Sequence, residues 1–416
     1  MFSLKTAASF PALLVLAACA SGSSEATWDG TVTDSAGVQI VQNTENSIWR
    51  GDAGWTLTEE FRIGSADGDP DYEFGQISGI VVGPNGNVFV LDAMASQVKV
   101  FGPEGLLLNR FGGPGSGPGE LGQGAAMMML AEGATIVIPD IANQRVNLYD
   151  LEGESTGSYA VQLETGVPVK WETTTSGTVV NQLRQFPFPG REGPMDTMDL
   201  IASRNSEGQV VDTILSIPAG QTFSMAGGNP QMKFFSSEPS WTLNGDDGVW
   251  FATNDEYRIE LFDSAGLLSR VLTKPFERRP ITEADQAAFL DAMMRLFSER
   301  GLPPQAVEQV RSMISFADMF PAFLQFFVGP NQSLWVQHVQ APSELTAEEL
   351  ETYNPQLQLG STDWDVFNSE GHFLGVVEMP QTFQPMRFTD DAVYGIWRDE
   401  LDVQYVMKLG IEAGDR

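Results

Sequence analysis

The chain is 416 residues long, with 42% hydrophobic and 19% charged residues, a balance that excludes an intrinsically disordered protein and calls for a large buried core. Acidic residues number 55 against 23 lysines and arginines, a formal net charge of -32, so DNA or RNA is repelled at long range and no nucleic-acid partner is expected. Two histidines and one cysteine exclude a zinc site built from several such ligands, an iron–sulfur cluster and a disulfide framework.

Residues 1–19 have the layout of a signal peptide: Lys5 supplies a positive start, and Ala7 to Ala18 form an apolar run too short to span a bilayer. The run ends in Leu16-Ala17-Ala18-Cys19, which resembles the bacterial lipobox. That resemblance implies cleavage before Cys19, acylation of its thiol and attachment to a membrane. Ala20 stands where enterobacterial sorting places Asp for inner-membrane retention, so the same resemblance implies the outer membrane of the cell envelope. Residues 20–54 then form a polar tether and a hairpin turning at Asp34-Ser35-Ala36-Gly37. No later stretch is long and apolar enough to cross a bilayer.

From residue 55 to 410 one pattern recurs: a glycine turn, an alternating strand, a polar gap, a second alternating strand and another turn ending in Gly. The clearest copy runs from Gly83-Pro84-Asn85-Gly86 through Val88-Phe89-Val90-Leu91-Asp92 and Gln97 to Phe101. Further copies carry Ile136 to Asp140 with Arg145 to Asp150, Thr178 to Val180 with Asn205 to Gly208, and Val249 to Thr253 with Arg258 to Gly266. Leu334 to Gln337 with Trp364 to Gly371, and Ala392 to Trp397 with Val403 to Lys408, complete six. Four short strands per copy predict an all-β six-bladed propeller. These residues resemble NHL-repeat propellers and, with the glycine-rich stretch Gly112 to Gly119, bacterial six-bladed propeller lipoproteins. A strand preceding the first copy is expected to pair with the last copy and close the ring, which removes an exposed sheet edge; Trp55 to Ile63 is favoured for it, with the hairpin at 31–43 as the alternative.

The loops are sorted. Turns of one class are tight, whereas the long insertions at 112–124, 184–199, 219–237, 275–322 and 339–361 all fall in the other class and so on one face, the expected functional side. The largest, 275–322, predicts a helical hairpin: Thr282 caps a helix with Phe289, Met293, Leu296 and Phe297 on one face, and Pro303-Pro304 open a second with Val307, Val310 and Ile314. Between 270 and 311 seven basic residues, Arg278 and Arg279 among them, meet six acidic ones, so an anionic ligand would be sought there.

Alignment of the copies puts Asp92, Asp140, Leu183, Thr253, His338 and Trp397 at the ends of the six second strands, on the insertion side. Resemblance to gluconolactonase-type propellers implies that Asp92 and Asp140 could give oxygen ligands to calcium in a cation-dependent hydrolase or lyase. Such an Asp can equally brace the neighbouring turn. His338 is a candidate acid or base, but an amidating-lyase-like site would need more histidines than His338 and His372. No nucleophile elbow surrounds Ser116 and no phosphate loop occurs. Phe186, Phe188, Phe223, Phe234 and Phe235 either line a groove or staple their own loops. The expected function is a lipid-anchored, non-catalytic module that binds a small molecule or a protein on the insertion-rich face, with the cation-dependent enzyme as the alternative.

Overall fold

The computed structural model describes residues 27–49, 54–122, 126–130, 135–184, 198–220, 222–226, 229–245 and 248–414. Cys19, Phe186 and Phe188 lie outside them. The chain starts with β1 (Thr31–Ser35), β2 (Val38–Gln42) and β3 (Thr56–Ile63). Blade 1 follows as β4 (Ile77–Val82), β5 (Val88–Asp92), β6 (Gln97–Phe101) and β7 (Leu107–Gly112). Blade 2 is β8 (Met128–Leu130), β9 (Thr135–Asp140), β10 (Arg145–Tyr149) and β11 (Ser155–Ala160); blade 3 is β12 (Val167–Thr173), β13 (Val179–Arg184), β14 (Met198–Arg204) and β15 (Val210–Pro218). A hairpin of β16 (Phe223–Ala226) and β17 (Asn229–Phe234) precedes blade 4, made of β18 (Pro239–Leu243), β19 (Gly248–Thr253), β20 (Arg258–Asp263) and β21 (Leu268–Thr273). Helices α1 (Glu283–Glu299) and α2 (Pro304–Met313) and strand β22 (Ile314–Phe316) lead to blade 5, whose strands are β23 (Phe326–Val328), β24 (Leu334–Val339), β25 (Gly360–Phe367) and β26 (Phe373–Glu378), with α3 (Ala347–Thr352) between β24 and β25. Blade 6 comprises β27 (Phe383–Phe388), β28 (Ala392–Arg398) and β29 (Gln404–Glu412), and β3 supplies its fourth strand.

The ring is therefore closed by the strand at 56–63, with Val406 opposite Ile63 and Glu412 opposite Thr56. The turns explain why the copies look alike. In Asp263-Ser264-Ala265-Gly266, Asp263 Oδ1 accepts from the backbone of Ala265 and Leu267 at 3.0 and 2.9 Å, and Gly266 takes φ 74°, which a Cβ would strain. Asn205 and Asn368 make the same pair of bonds two and four residues ahead, so an Asx-x-x-Gly signature between third and fourth strands is a mechanical requirement of the turn.

Strand alternation buries one face of each blade against the next. Trp335, Trp364, Val366, Val377 and Met407 form such a layer between blades 5 and 6. Trp335 and Trp364 are 0% and 1% exposed, and burying an indole removes on the order of 150–250 Å², contributing about 4–6 kcal/mol before entropy.

The N-terminal hairpin does more than sit outside the ring. Strand β2 adds parallel to β21 on the outer edge of blade 4, and the chain then crosses blade 5, where Trp49 N donates to Leu374 O at 2.8 Å, before β3 enters blade 6. The strap thus ties three consecutive blades. No helix among the described residues is long and apolar enough to cross a membrane.

Candidate functional site

The long connections share one face, as strand alternation requires, and the largest of them forms a cap with its own core. Thr282 caps α1 through a reciprocal capping box with Asp285, and Phe289, Met293 and Met294 are buried with Phe235, Ile281 and Phe320. Helix α2 ends at Met313, so Ile314 belongs to β22, which pairs parallel with β17 from the preceding inter-blade connection. Phe234 and Phe235 lie 4.5 and 5.6 Å from the Phe289 ring and staple these two insertions together. At the neck of the cap the outgoing and returning legs are joined: Phe320 N donates to Arg279 O at 2.9 Å and Ile281 N to Asp318 O at 3.0 Å.

Below this neck, between blades 4 and 5, opens a cleft of about 360 Å³. Its apolar wall is Pro275, Phe276, Pro321 and Ala322. Its polar floor is centred on Asp365, a wholly buried carboxylate in the apolar run of β25. Blade 4 contributes Lys274, whose Nζ is 2.8 Å from both Asp365 oxygens, and Tyr257, whose hydroxyl donates to Oδ2 at 2.5 Å. From blade 5, His338 Nε2 lies 3.0 Å from Oδ1. A carboxylate only accepts, so Nε2 of the imidazole carries a proton toward Asp365.

Burial alone would raise the Asp365 pKa, but the His338 hydrogen bond and the Lys274 charge outweigh it and hold the carboxyl below its ordinary value of 3.8. Burial, with the adjacent Asp365 charge, pushes the Tyr257 phenol well above 10. The floor therefore holds an ionised Asp365 carboxylate and a protonated Tyr257 phenol, with Lys274 and His338 as the carboxylate's other neighbours. His338 and Lys274 retain partial side-chain exposure, 35% and 14%. At the rim, Arg279 pairs with Glu344 at 2.6 Å.

Of the residues singled out from sequence, His338 and Arg279 meet in this cleft. Arg278 is exposed. Asp92 and Asp140 sit in other blades, 2% and 0% exposed. Asp92 accepts from the backbone N–H groups of Gly75, Gln76, Met94 and Ala95, and Asp140 accepts from Gly122, Asn143 and the Asn143 amide. Calcium wants six to eight oxygens with free lone pairs, and carboxylates already facing several N–H dipoles do not fit it. Among the described residues no group of three or more His, Cys, Asp or Glu stands in a metal-holding arrangement. In blade 4 the equivalent brace is Asn254, one residue beyond Thr253: its Oδ1 accepts from Glu238 N at 2.8 Å and its amide donates to Phe323 O at 2.7 Å. Thr253 closes β19, half-buried, and Trp397 in blade 6 carries the Arg62 guanidinium 3.7 Å above its ring.

The basic concentration around 270–311 is largely consumed within the protein. Arg295 donates to the carbonyls of Leu350 and Tyr353 at the end of α3, Arg300 to Gln356, Arg270 to Gln39 and Ser369 O, and Arg311 lies 3.6 Å from Asp291. The glycine-rich connection after blade 1 is clamped, not loose: Arg145 donates to the carbonyls of Ser116, Gly117 and Glu120.

A profile for a family described as 6-bladed beta-propeller matches residues 69–169. The chain is a six-bladed β-propeller. Among solved structures, a Bacteroides fragilis protein described as exported superposes with a TM-score of 0.51 at 13% identity, covering 90% of this chain and 99% of its own. A member of the DUF4221 family from Bacteroides vulgatus gives 0.53 at 13% identity, covering 88% of this propeller and 100% of its own chain. Likeness at this identity concerns the fold alone, since propellers carry many unrelated activities. No curated protein sequence matches the propeller.

The Asp365 constellation escapes the alignment of strand ends, because the carboxylate is mid-strand in a third strand and two of its partners come from the neighbouring blade. One signal was available: an Asp inside Trp364-Asp365-Val366-Phe367 is a charge in an apolar run, which is buried only when paired.

Proposed function

We propose that this propeller is an extracytoplasmic binding module, held at the outer membrane by acylated Cys19, whose ligand site is the cleft between blades 4 and 5. One observation carries the reading. A cavity of about 360 Å³, within the size range of small-molecule sites, combines an apolar wall with convergent polar groups on a floor locked by Lys274 and Asp365. The ligand is a small molecule, and the neck of the cap borders the cleft through Arg279 and Pro321.

The test is recovery of bound small molecules from an envelope metabolite extract by native mass spectrometry, comparing the wild type with Ser361→Trp. Ser361 is half-buried on the cleft wall, so an indole there fills the cavity. Ligand retained equally by both proteins would sink the reading. The anchor is tested separately by labelling cells with an alkynyl fatty acid, which should mark the wild type and leave Cys19→Ser unmarked.

Catalysis in the same cleft has one observation in its favour, the 3.0 Å His338–Asp365 contact, which orients an imidazole as acid–base enzymes do. It requires turnover that His338→Gln removes while binding persists.

A further inference from the structure

Resting on the cleft reading, we infer that the ligand is a small organic cation, an ammonium on a short aliphatic body, with Asp363 as its counter-ion. The argument begins with strand geometry. Residues 363 and 365 of β25 lie on one face, because side chains alternate with period two where β25 pairs regularly with β26, and beyond a register slip against β24 Ser361 also lines the cleft with Asp363 and Asp365. Asp363 therefore points to the side on which Asp365 meets blade 4.

The charges lining the cleft are two cations, Lys274 and Arg279, against three carboxylates, Glu344, Asp363 and Asp365. Both cations are already spoken for. Lys274 bridges both oxygens of Asp365, and Arg279 grips Glu344 at 2.6 Å. Asp363 is half-buried, and its carboxylate has no partner among the described residues. Carboxylates thus outnumber the lysine and arginine of the cleft by one, and the carboxylate left over is Asp363. An anion would have to displace Lys274 from a buried carboxylate, whereas a cation completes the pairing.

The neutral groups favour the same ligand. Ser361 Oγ accepts from Asp363 N at 3.1 Å, leaving its O–H to donate. Pro275, Phe276, Pro321 and Ala322 supply surface for methylenes. The net charge of -32 raises the local concentration of any cation and repels anions.

The experiment is calorimetric titration of the full chain with three five-carbon probes matched in length: 1,5-diaminopentane, 1,5-pentanediol and glutarate. The diamine is expected to bind saturably, at least about tenfold tighter than the diol, with glutarate silent. Asp363→Asn should weaken the diamine at least about tenfold, and Ser361→Trp should abolish it. Diamine binding indifferent to Asp363→Asn overturns the inference. So does glutarate binding more tightly than the diamine, although glutarate binding lost in Ser361→Trp would leave the cleft itself standing as a ligand site. Silence from all three probes up to millimolar concentration rejects the cation, and the extract experiment then decides the cleft independently.

Discussion

Lys274 of blade 4 holds both carboxylate oxygens of Asp365 of blade 5 at 2.8 Å, so the floor of the cleft is also the lock between two blades. Asp365 is wholly buried and Lys274 keeps only 14% of its side chain exposed, which makes the pair's energetics asymmetric. Forming it gains little over an apolar contact, but removing one partner strands the other charge away from water. Asp365→Ala is therefore expected to cost about 3–5 kcal/mol in urea unfolding, because the Lys274 ammonium and the Tyr257 hydroxyl lose their acceptor. The double variant Lys274→Met, Asp365→Leu should recover much of that loss. A single-variant loss below about 1 kcal/mol would mean that water already reaches the pair.

The same carboxylate sets an acid limit on stability. Its folded pKa is depressed below 3.8, so its contribution is complete above the unfolded value and disappears as the pH falls through the folded value. The window is below about pH 4. Other carboxylates titrate there too, and relief of self-repulsion in so acidic a chain acts in the opposite sense. The informative quantity is thus a difference: between pH 5 and pH 2 the wild type should lose stability more steeply than Asp365→Asn. Parallel curves would show that Asp365 titrates normally.

Asn43 makes a second junction between the same blades, and both polar atoms of its side chain are used. Its amide donates to Thr273 O at 3.1 Å and Gly371 O at 3.0 Å, and its carbonyl accepts from Phe373 N at 2.7 Å and from the Trp28 indole at 2.9 Å. The residue is 6% exposed, so Asn43→Ala leaves buried groups unpaired and should cost about 2–3 kcal/mol. Hydrogen exchange should localise the damage, with amides of 38–49 opening well before those of blades 1 and 2. Uniform acceleration around the ring would argue against a local staple.

Those residues mark the boundary of what could be read in advance. Turn chemistry was legible because Asp263 or Asn205 must sit three residues before a glycine of positive φ, a constraint written within four residues. The helix capped by Thr282 was legible for the same reason, and ring closure favoured 56–63 because the last repeat lacked a fourth strand. Pairing across blades was not. Whether Arg295 is a free cation or a brace for α3 depends on Leu350 and Tyr353, more than fifty positions away, and Lys274 finds Asp365 91 positions on. Charge counted along the sequence therefore suggested an anion site between 270 and 311, whereas in space most of these positive charges are paired and the cleft carries the carboxylate of Asp363 without a cation beside it. Thr253 does end the second strand of blade 4, but the brace falls one residue later. Asn254, immediately after β19, does the work that Asp92 and Asp140 do as the last residues of their strands.

The strand-end carboxylates give the remaining prediction. Asp92 receives four backbone N–H groups, two from the connection that precedes its own blade and two from the turn that follows β5. Each such bond is charge-assisted, and deleting the side chain orphans several donors at once, so Asp92→Ala should destabilise by about 2–4 kcal/mol. A calcium ligand and a backbone brace both predict that loss, but they differ when the cation is varied. A brace needs no metal, so millimolar calcium or a chelator should shift the melting temperature of wild type, Asp92→Ala and Asp140→Ala equally. If calcium stabilises the wild type alone, the carboxylates are ligands, their N–H contacts must give way when the ion binds, and the cation-dependent enzyme becomes the better account of this propeller.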